Sequence, residues 1–210
     1  MKYLLVAMLS MLSLAGCGGS LFRSHAPATT TYQLSVAPQP AAAPIEADLA
    51  VLGPHVRGGL DNDRIAALYP DRRLDYFAAA RWSAPLDEML LDLTLQAFRG
   101  TAALRNVDTD ASAFTSGYWL DLDVVDFQAE YPDTPSATGE APTVHVHLVG
   151  RIGGGGDRHL LGQVDAETRR RAASNRLTAV VEAYNQAADQ ALAKVVAETT
   201  ETLRRNLESR

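Results

Sequence analysis

Apolar and polar positions along this 210-residue chain follow two rhythms, one of two residues and one of three to four. The period of two marks strands, because successive side chains of an extended chain point to opposite faces. It appears first at Tyr32-Gln33-Leu34-Ser35-Val36. Three prolines in residues 37–44 exclude a central strand there. Residues 45–52 form a second strand candidate, ambiguous with a helical turn. Gly53-Pro54 and Gly58-Gly59 punctuate a loop, residues 61–68 read as a turn or short strand, and Pro70-Asp71 as a turn. Strands are predicted over 74–79 and 103–107. Alternation is clearest in residues 119–127, with Leu120, Leu122 and Val124 on one side and Asp121 and Asp123 on the other. Residues 143–151 repeat it, with Val144, Val146 and Leu148 on one face. Between these two strands, residues 128–142 carry three prolines and read as a long exposed loop. Gly153 to Gly156 reads as a loose hairpin tip, and a strand returns over 160–164.

The longer period marks two helices. Leu86, Met89, Leu90, Leu93 and Ala97 share one helical face. Ser83 is the expected N-cap. Pro85, Asp87 and Glu88 suit a first turn, where a missing N–H is harmless and negative charge is favoured. Gly100 is the expected stop. The stronger helix begins near Leu177 and carries Val180, Val181, Tyr184, Ala187, Ala188, Ala191, Leu192, Val195, Val196 and Leu203 on one stripe. Strands, a helix, more strands and a long final helix predict an α+β fold: a mixed or antiparallel sheet with two main helices packed on one face.

At the N-terminus a different pattern rules. Lys2 precedes an apolar run from Leu4 to Leu14, broken only by serines and closed by Leu14-Ala15-Gly16-Cys17. Eleven helical residues at about 1.5 Å each cover only about half of a ~30 Å hydrocarbon core, so the run is an export signal and not a membrane span. Leu-Ala-Gly-Cys resembles a bacterial lipoprotein signal, which implies lipidation of Cys17 and cleavage before it. Cys17 is the only cysteine, so an exported chain has no intramolecular disulfide to make. Gly18 in place of an aspartate leans toward the outer membrane. The domain expectation is a signal peptide over 1–16, a flexible tether over 17–31 and a single domain over 32–210.

Composition excludes some function classes. Hydrophobic residues make up 47% of the chain and the net charge is −6, with no clustered basic patch. An acidic chain of this kind is a poor nucleic-acid binder and adheres weakly to anionic lipid, so membrane contact falls to the acyl anchor.

Candidate chemistry is sparse. His145 and His147 share a strand face opposite Val144 and Val146, and His159 across the hairpin offers a third metal ligand. With no cysteine to spare and no acidic residue at ligand spacing, the expectation is a solvated face and no metal. Asp121, Asp123 and Asp126 lack the turning loop of a calcium site, Asp126 being expected to point away from the other two. Gly153 to Gly156 lacks the Lys-Ser/Thr and helix start of a phosphate loop. No Gly-x-Ser-x-Gly, Ser-x-x-Lys or His-Glu-x-x-His occurs. No cofactor and no catalysis are expected.

Three segments carry a family resemblance. They are Gly59-Leu60-Asp61-Asn62-Asp63-Arg64-Ile65-Ala66 leading into Leu74-Asp75-Tyr76-Phe77, then Ala80-Arg81-Trp82-Ser83-Ala84-Pro85-Leu86, and Val180-Val181-Glu182-Ala183-Tyr184-Asn185-Gln186-Ala187. With Tyr32-Gln33-Leu34 and the lipoprotein cysteine, they resemble the PqiC-like auxiliary lipoproteins of Mce-type ABC transport systems. Residues 128–142 and Arg169-Arg170-Arg171 depart from that pattern. The resemblance implies a non-catalytic partner of a periplasmic substrate-binding ring protein, its permease and its ATPase, which move lipids or other hydrophobic compounds between membranes. It implies an outer-membrane anchor, a periplasmic face and a homo-oligomer. Leu60, Asp61, Arg81, Trp82 and Pro85 become the candidate partner-binding or structural residues. Trp82, at an interior helix start, is expected in the core. Two other readings stay open: an assembly lipoprotein of another envelope complex, and a tethered hydrolase.

Overall fold

The computed structural model describes residues 28–37, 42–112, 115–132, 139–154 and 159–209. Its nine strands join one mixed sheet. The sheet is organised by β7 (Tyr118–Glu130), thirteen residues long. One edge of β7 pairs antiparallel with β8 (Thr143–Gly154), which pairs antiparallel with β9 (His159–Arg171). The other edge is shared by three short segments that run along it in succession, all parallel to it. These are β2 (Ile45–Val51), β3 (His55–Val56) and β4 (Arg64–Leu68), whose partners are Tyr118 to Leu120, Asp123 to Val124, and Ala129 to Glu130. Beyond β4 the sheet continues through β5 (Leu74–Trp82) to β1 (Thr30–Tyr32), and beyond β2 to β6 (Leu104–Thr109).

Helix α1 (Leu86–Thr101) packs on β6, β2 and β3, and α2 (Leu177–Glu208) packs on β9, β8 and the middle of the sheet. The two helices also touch each other. This is the α+β arrangement that the two rhythms predict. The alternating residues Leu120, Leu122, Val124, Val144, Val146 and Leu148 are all buried beneath the helices, and so is the alanine-rich stripe of α2 from Val180 to Val196 except Val181, which is half-buried. Small side chains there let α2 lie close to β8 and β9.

Several boundaries differ from expectation. β1 starts at Thr30, inside the segment expected as tether, and ends at Tyr32, so Leu34 is buried without lying in a strand. Residues 128–130 are not loop. They complete β7, and Gln128 and Ala129 are buried. Ser83 does not cap α1; Pro85 holds the N-cap position, and no side chain caps the helix. Gly100 does not stop it either. The helix passes through Gly100 and ends at Ala102, in the left-handed region at φ 50°. Gly153 and Gly154 belong to β8, while Gly155 and Gly156 lie outside the described residues. A Cβ on Gly153 would meet the Trp119 ring and the His159 carbonyl, so this glycine is there for close approach.

Candidate functional site

The first two of the three resemblance segments meet at one end of the sheet. The loop 57–63 folds against the start of α1. The N–H of Leu86 donates to the Asn62 carbonyl (3.2 Å), and that of Trp82 to the Asp63 carbonyl (2.7 Å). The helix therefore has one orphan N–H satisfied by a distant loop carbonyl, which explains why no side-chain cap is needed. Asn62 holds the loop in shape. Its Nδ2 donates to the Gly59 carbonyl (3.0 Å) and its Oδ1 accepts from the Arg64 N–H (2.8 Å). The Tyr76 hydroxyl donates to the same Gly59 carbonyl (2.7 Å), and the Arg64 guanidinium lies 3.8 Å from the centre of the Tyr76 ring. Gly59 has φ +91°, which an L side chain rarely adopts, and a Cβ there would sit 2.9 Å from Leu74.

The five candidate residues divide cleanly. Leu60 is buried under the loop. Trp82 is in the core, 2% exposed, edge-on to Tyr184 (5.2 Å between centroids) and to Phe127 (6.2 Å). Tyr184 is fully buried and donates its hydroxyl to the Ala66 carbonyl (2.6 Å); burial pushes its ionisation well above the ordinary range. Asp61 in the loop, Arg81 near the end of β5 and Pro85 at the N-cap of α1 are exposed, with Arg81 3.7 Å from Asp63. The buried pair thus shapes the platform and the exposed three form its surface. Cys17 and residues 1–16, expected as a signal peptide, lie outside the described residues.

The opposite face of the sheet, away from the helices, is charged. A β-bulge between Val124 and Asp126 inserts one residue in β7. Before it, even-numbered side chains are buried; after it, Phe127 and Ala129 are. Asp126 consequently stays on the same face as Asp121 and Asp123, contrary to the expectation that it points away. Beside it stand His145 and His147. The expectation of a simple solvated face fails for His145, which is 5% exposed. Its Nδ1 lies 2.9 Å from Glu130 Oε1 and its Nε2 2.9 Å from Glu167 Oε1. His147 Nε2 lies 2.8 Å from Asp165 Oδ1. Asp126 Oδ2 is 3.9 Å from His145 Nδ1 and 3.8 Å from His147 Nδ1, so an acidic oxygen does stand at ligand distance. His159 does not join them. It pairs with Gly154, at the far end of the hairpin from the His145–Arg169 pair.

Hydrogen bonds hold these groups. Gln128 Nε2 donates to Asp126 Oδ1 (3.0 Å) and Glu130 Oε1 (3.3 Å), and Arg169 Nη1 to Glu130 Oε2 (2.6 Å). Burial works to raise the Glu130 carboxyl, but the bonds from His145, Gln128 and Arg169 outweigh it and hold the carboxyl below its ordinary range. Towards the start of β7, Arg151 donates to Asp121 (2.8 Å), and His55 Nε2 is 3.4 Å from the same carboxylate. There Leu52, Gly53, His55, Asp110, Trp119 and Asp121 line a groove of about 550 Å³. Among the described residues no helix is long and apolar enough to cross a membrane.

Comparison with known proteins adds a family and a fold. The family described as ABC-type transport auxiliary lipoprotein component matches residues 32–196. A crystal structure of a Xanthomonas campestris protein of family DUF330 superposes with a TM-score of 0.74 at 24% identity, covering 85% of this chain and 99% of the other. A crystal structure of an uncharacterised protein superposes with a TM-score of 0.61 at 16% identity, covering 82% and 99%. No curated protein matches the chain.

Proposed function

This chain belongs to the ABC-type transport auxiliary lipoprotein family, and from that membership we propose that it is the lipid-anchored accessory component of an Mce-like system. In this reading it stands at the outer membrane through Cys17, faces the periplasm and catalyses nothing itself. Its partners are a periplasmic substrate-binding ring protein with its permease and ATPase, and the cargo is a lipid or another hydrophobic compound. A homo-oligomer matches a ring-shaped partner.

The observation that carries the reading is the family match over residues 32–196, which spans all three resemblance segments. Two of them converge on the platform at the start of α1. There Asp61, Arg81 and Pro85 are exposed on a frame fixed by Asn62, Gly59 and Trp82. A small polar surface on a rigid frame suits reversible docking better than enclosure of an acyl chain.

Co-purification tests it. The full chain, tagged at its C-terminus with Cys17 intact, is extracted gently from membranes, and its partners are identified by mass spectrometry. Recovery of the ring protein with its permease is the expected result. Recovery of unrelated envelope machinery from folded, lipidated protein would overturn it in favour of an assembly lipoprotein.

A further inference from the structure

The charged face of β7, β8 and β9 has the layout of a metal site. Asp126, His145 and His147 each turn one ligand atom inward, and these atoms lie within 4.8 Å of one another. We propose that these three residues bind one divalent transition-metal ion of the zinc class.

Four features on the three strands support this. First, both imidazoles are oriented by carboxylates. Glu167 and Asp165 lie 2.9 and 2.8 Å from the Nε2 atoms. A carboxylate at one ring nitrogen takes its N–H and leaves a lone pair on the other, the outer-shell arrangement of metal-bound histidine. The Nδ1 of His147 is then left facing Asp126 Oδ2 at 3.8 Å, and that of His145 stands between Glu130 Oε1 at 2.9 Å and Asp126 Oδ2 at 3.9 Å, so an ion there would take the place of the His145–Glu130 hydrogen bond.

Second, the bulge in β7 is what brings Asp126 to this face. Bulges commonly re-aim a side chain at a functional site. Gln128 and Arg57 hold Asp126 Oδ1, at 3.0 and 3.9 Å, and leave Oδ2 turned to the histidines.

Third, the charge is unbalanced. Asp126, Glu130, Asp165 and Glu167 are faced by the guanidinium groups of Arg57 and Arg169. With neutral imidazoles the cluster keeps two excess negative charges, which one divalent cation cancels.

Fourth, the spacing is near what an ion needs. A tetrahedral ion with bonds of about 2.0–2.1 Å holds its donors about 3.3 Å apart, so side-chain adjustments of about 1 Å or less close the cluster. Glu130 Oε1, 2.9 Å from His145 Nδ1, stands next to the ion, with its other oxygen fixed by Arg169. Two imidazoles and one or two carboxylates favour zinc, nickel, cobalt or copper over calcium or magnesium, which prefer all-oxygen shells. Arg169 also lies over the His145 ring, 3.2 and 3.3 Å from its nitrogens, closing that side of the cluster.

The test is independent of any transport partner. The full lipidated chain, purified in detergent through a histidine-free tag and stripped with chelator, is titrated with Zn2+ and with Co2+. Calorimetry reads stoichiometry, and visible absorption reads nitrogen and oxygen ligation of Co2+. One ion per chain is expected, with no comparable response to Ca2+. His147→Ala and Asp126→Asn should weaken binding by at least about 100-fold, and Asp165→Asn by about 10–100-fold. Asp165 is 69% exposed, so its variant folds whatever the others do. His159→Ala should bind as the wild type does. Wild-type binding no tighter than that of Asp165→Asn, an equal response to Ca2+, or a loss on His159→Ala would each overturn the assignment.

Discussion

The rings of Trp82 and Tyr184 meet edge to face with centroids 5.2 Å apart, joining the end of β5 to the second turn of α2. Phe127 of β7 completes the trio, 6.2 Å from Trp82 and 5.3 Å from Tyr184. One cluster thus ties the motif before α1, the central strand and the long helix together. Trp82→Ala should cost about 3–5 kcal/mol, read from urea unfolding. Tyr184→Phe should cost about 1–3 kcal/mol, because the Ala66 carbonyl loses its donor in a dry site. A double-mutant cycle between Trp82 and Tyr184 should give a coupling of about 0.5–1.5 kcal/mol, as a directed aromatic contact does. A coupling near zero would mean that only buried area counts.

Gly59 makes the loop that supports α1. Its φ of +91° is strained for any L side chain, and a methyl group there would have to displace the Leu74 Cδ2 atom from 2.9 Å. Gly59→Ala should destabilise by about 1–3 kcal/mol, seen as a lower urea midpoint. The same variant should lose ring-protein recovery in the co-purification, since the platform is displaced. An unchanged midpoint would show that the loop relaxes freely.

Surface charge at the platform should matter for partners and little for folding. Asp61→Lys and Arg81→Glu change exposed side chains, so stability should move by no more than about 0.5 kcal/mol. If the platform docks the transport partner, either reversal should reduce recovery several-fold. Undiminished recovery would put the docking surface elsewhere.

Asp48 accepts from Arg105 Nε (2.9 Å) and Asn106 Nδ2 (2.8 Å), across the β2–β6 pair. The bonds from Arg105 and Asn106 hold its carboxyl below the ordinary value. A carboxyl lowered on folding gives stability that is complete above its unfolded value of about 3.9 and is lost as pH falls through the folded one. Wild-type stability should therefore drop below about pH 4 more steeply than that of Asp48→Asn. Parallel acid titrations of the two proteins, followed by circular dichroism, check the sign.

Anchoring has a simpler test. If an acyl group on Cys17 is the anchor, Cys17→Ser should leave the protein out of the membrane fraction. Persistence of the variant in membranes after a carbonate wash would make the cysteine dispensable for attachment.

Much of the fold was legible because burial here follows strict periods. Leu120, Leu122 and Val124 lie on the inner face as alternation required, and Leu86, Met89, Leu90, Leu93 and Ala97 are all buried on α1. What failed were features that depend on distant parts of the chain. The N–H of Leu86 is satisfied by Asn62, more than a helical turn's reach away in sequence, so Ser83 was not needed as a cap. The bulge at Val125 reversed the parity of β7, so a count by twos misplaced Asp126, and the prolines and polar residues of 128–142 hid the last three residues of the strand. With Asp126 misplaced, His145 and His147 lacked an acidic companion. Only the pairing with β8 and β9 shows that Glu130, Asp165 and Glu167 gather around them.

The layout of β7 also sets a timetable. Leu49 of β2 pairs with Tyr118, and Ala67 of β4 with Ala129, so the early strands wait for a partner made much later. At about 5–20 residues per second, the start of β7 follows the end of β2 by several seconds of synthesis, so this edge pairing comes later than the β4–β5 and β2–β6 pairings. Sheets closed by such long-range parallel pairs fold slowly and aggregate readily in that interval. Refolding of the purified protein should therefore compete with aggregation, and the refolded yield should fall as protein concentration rises.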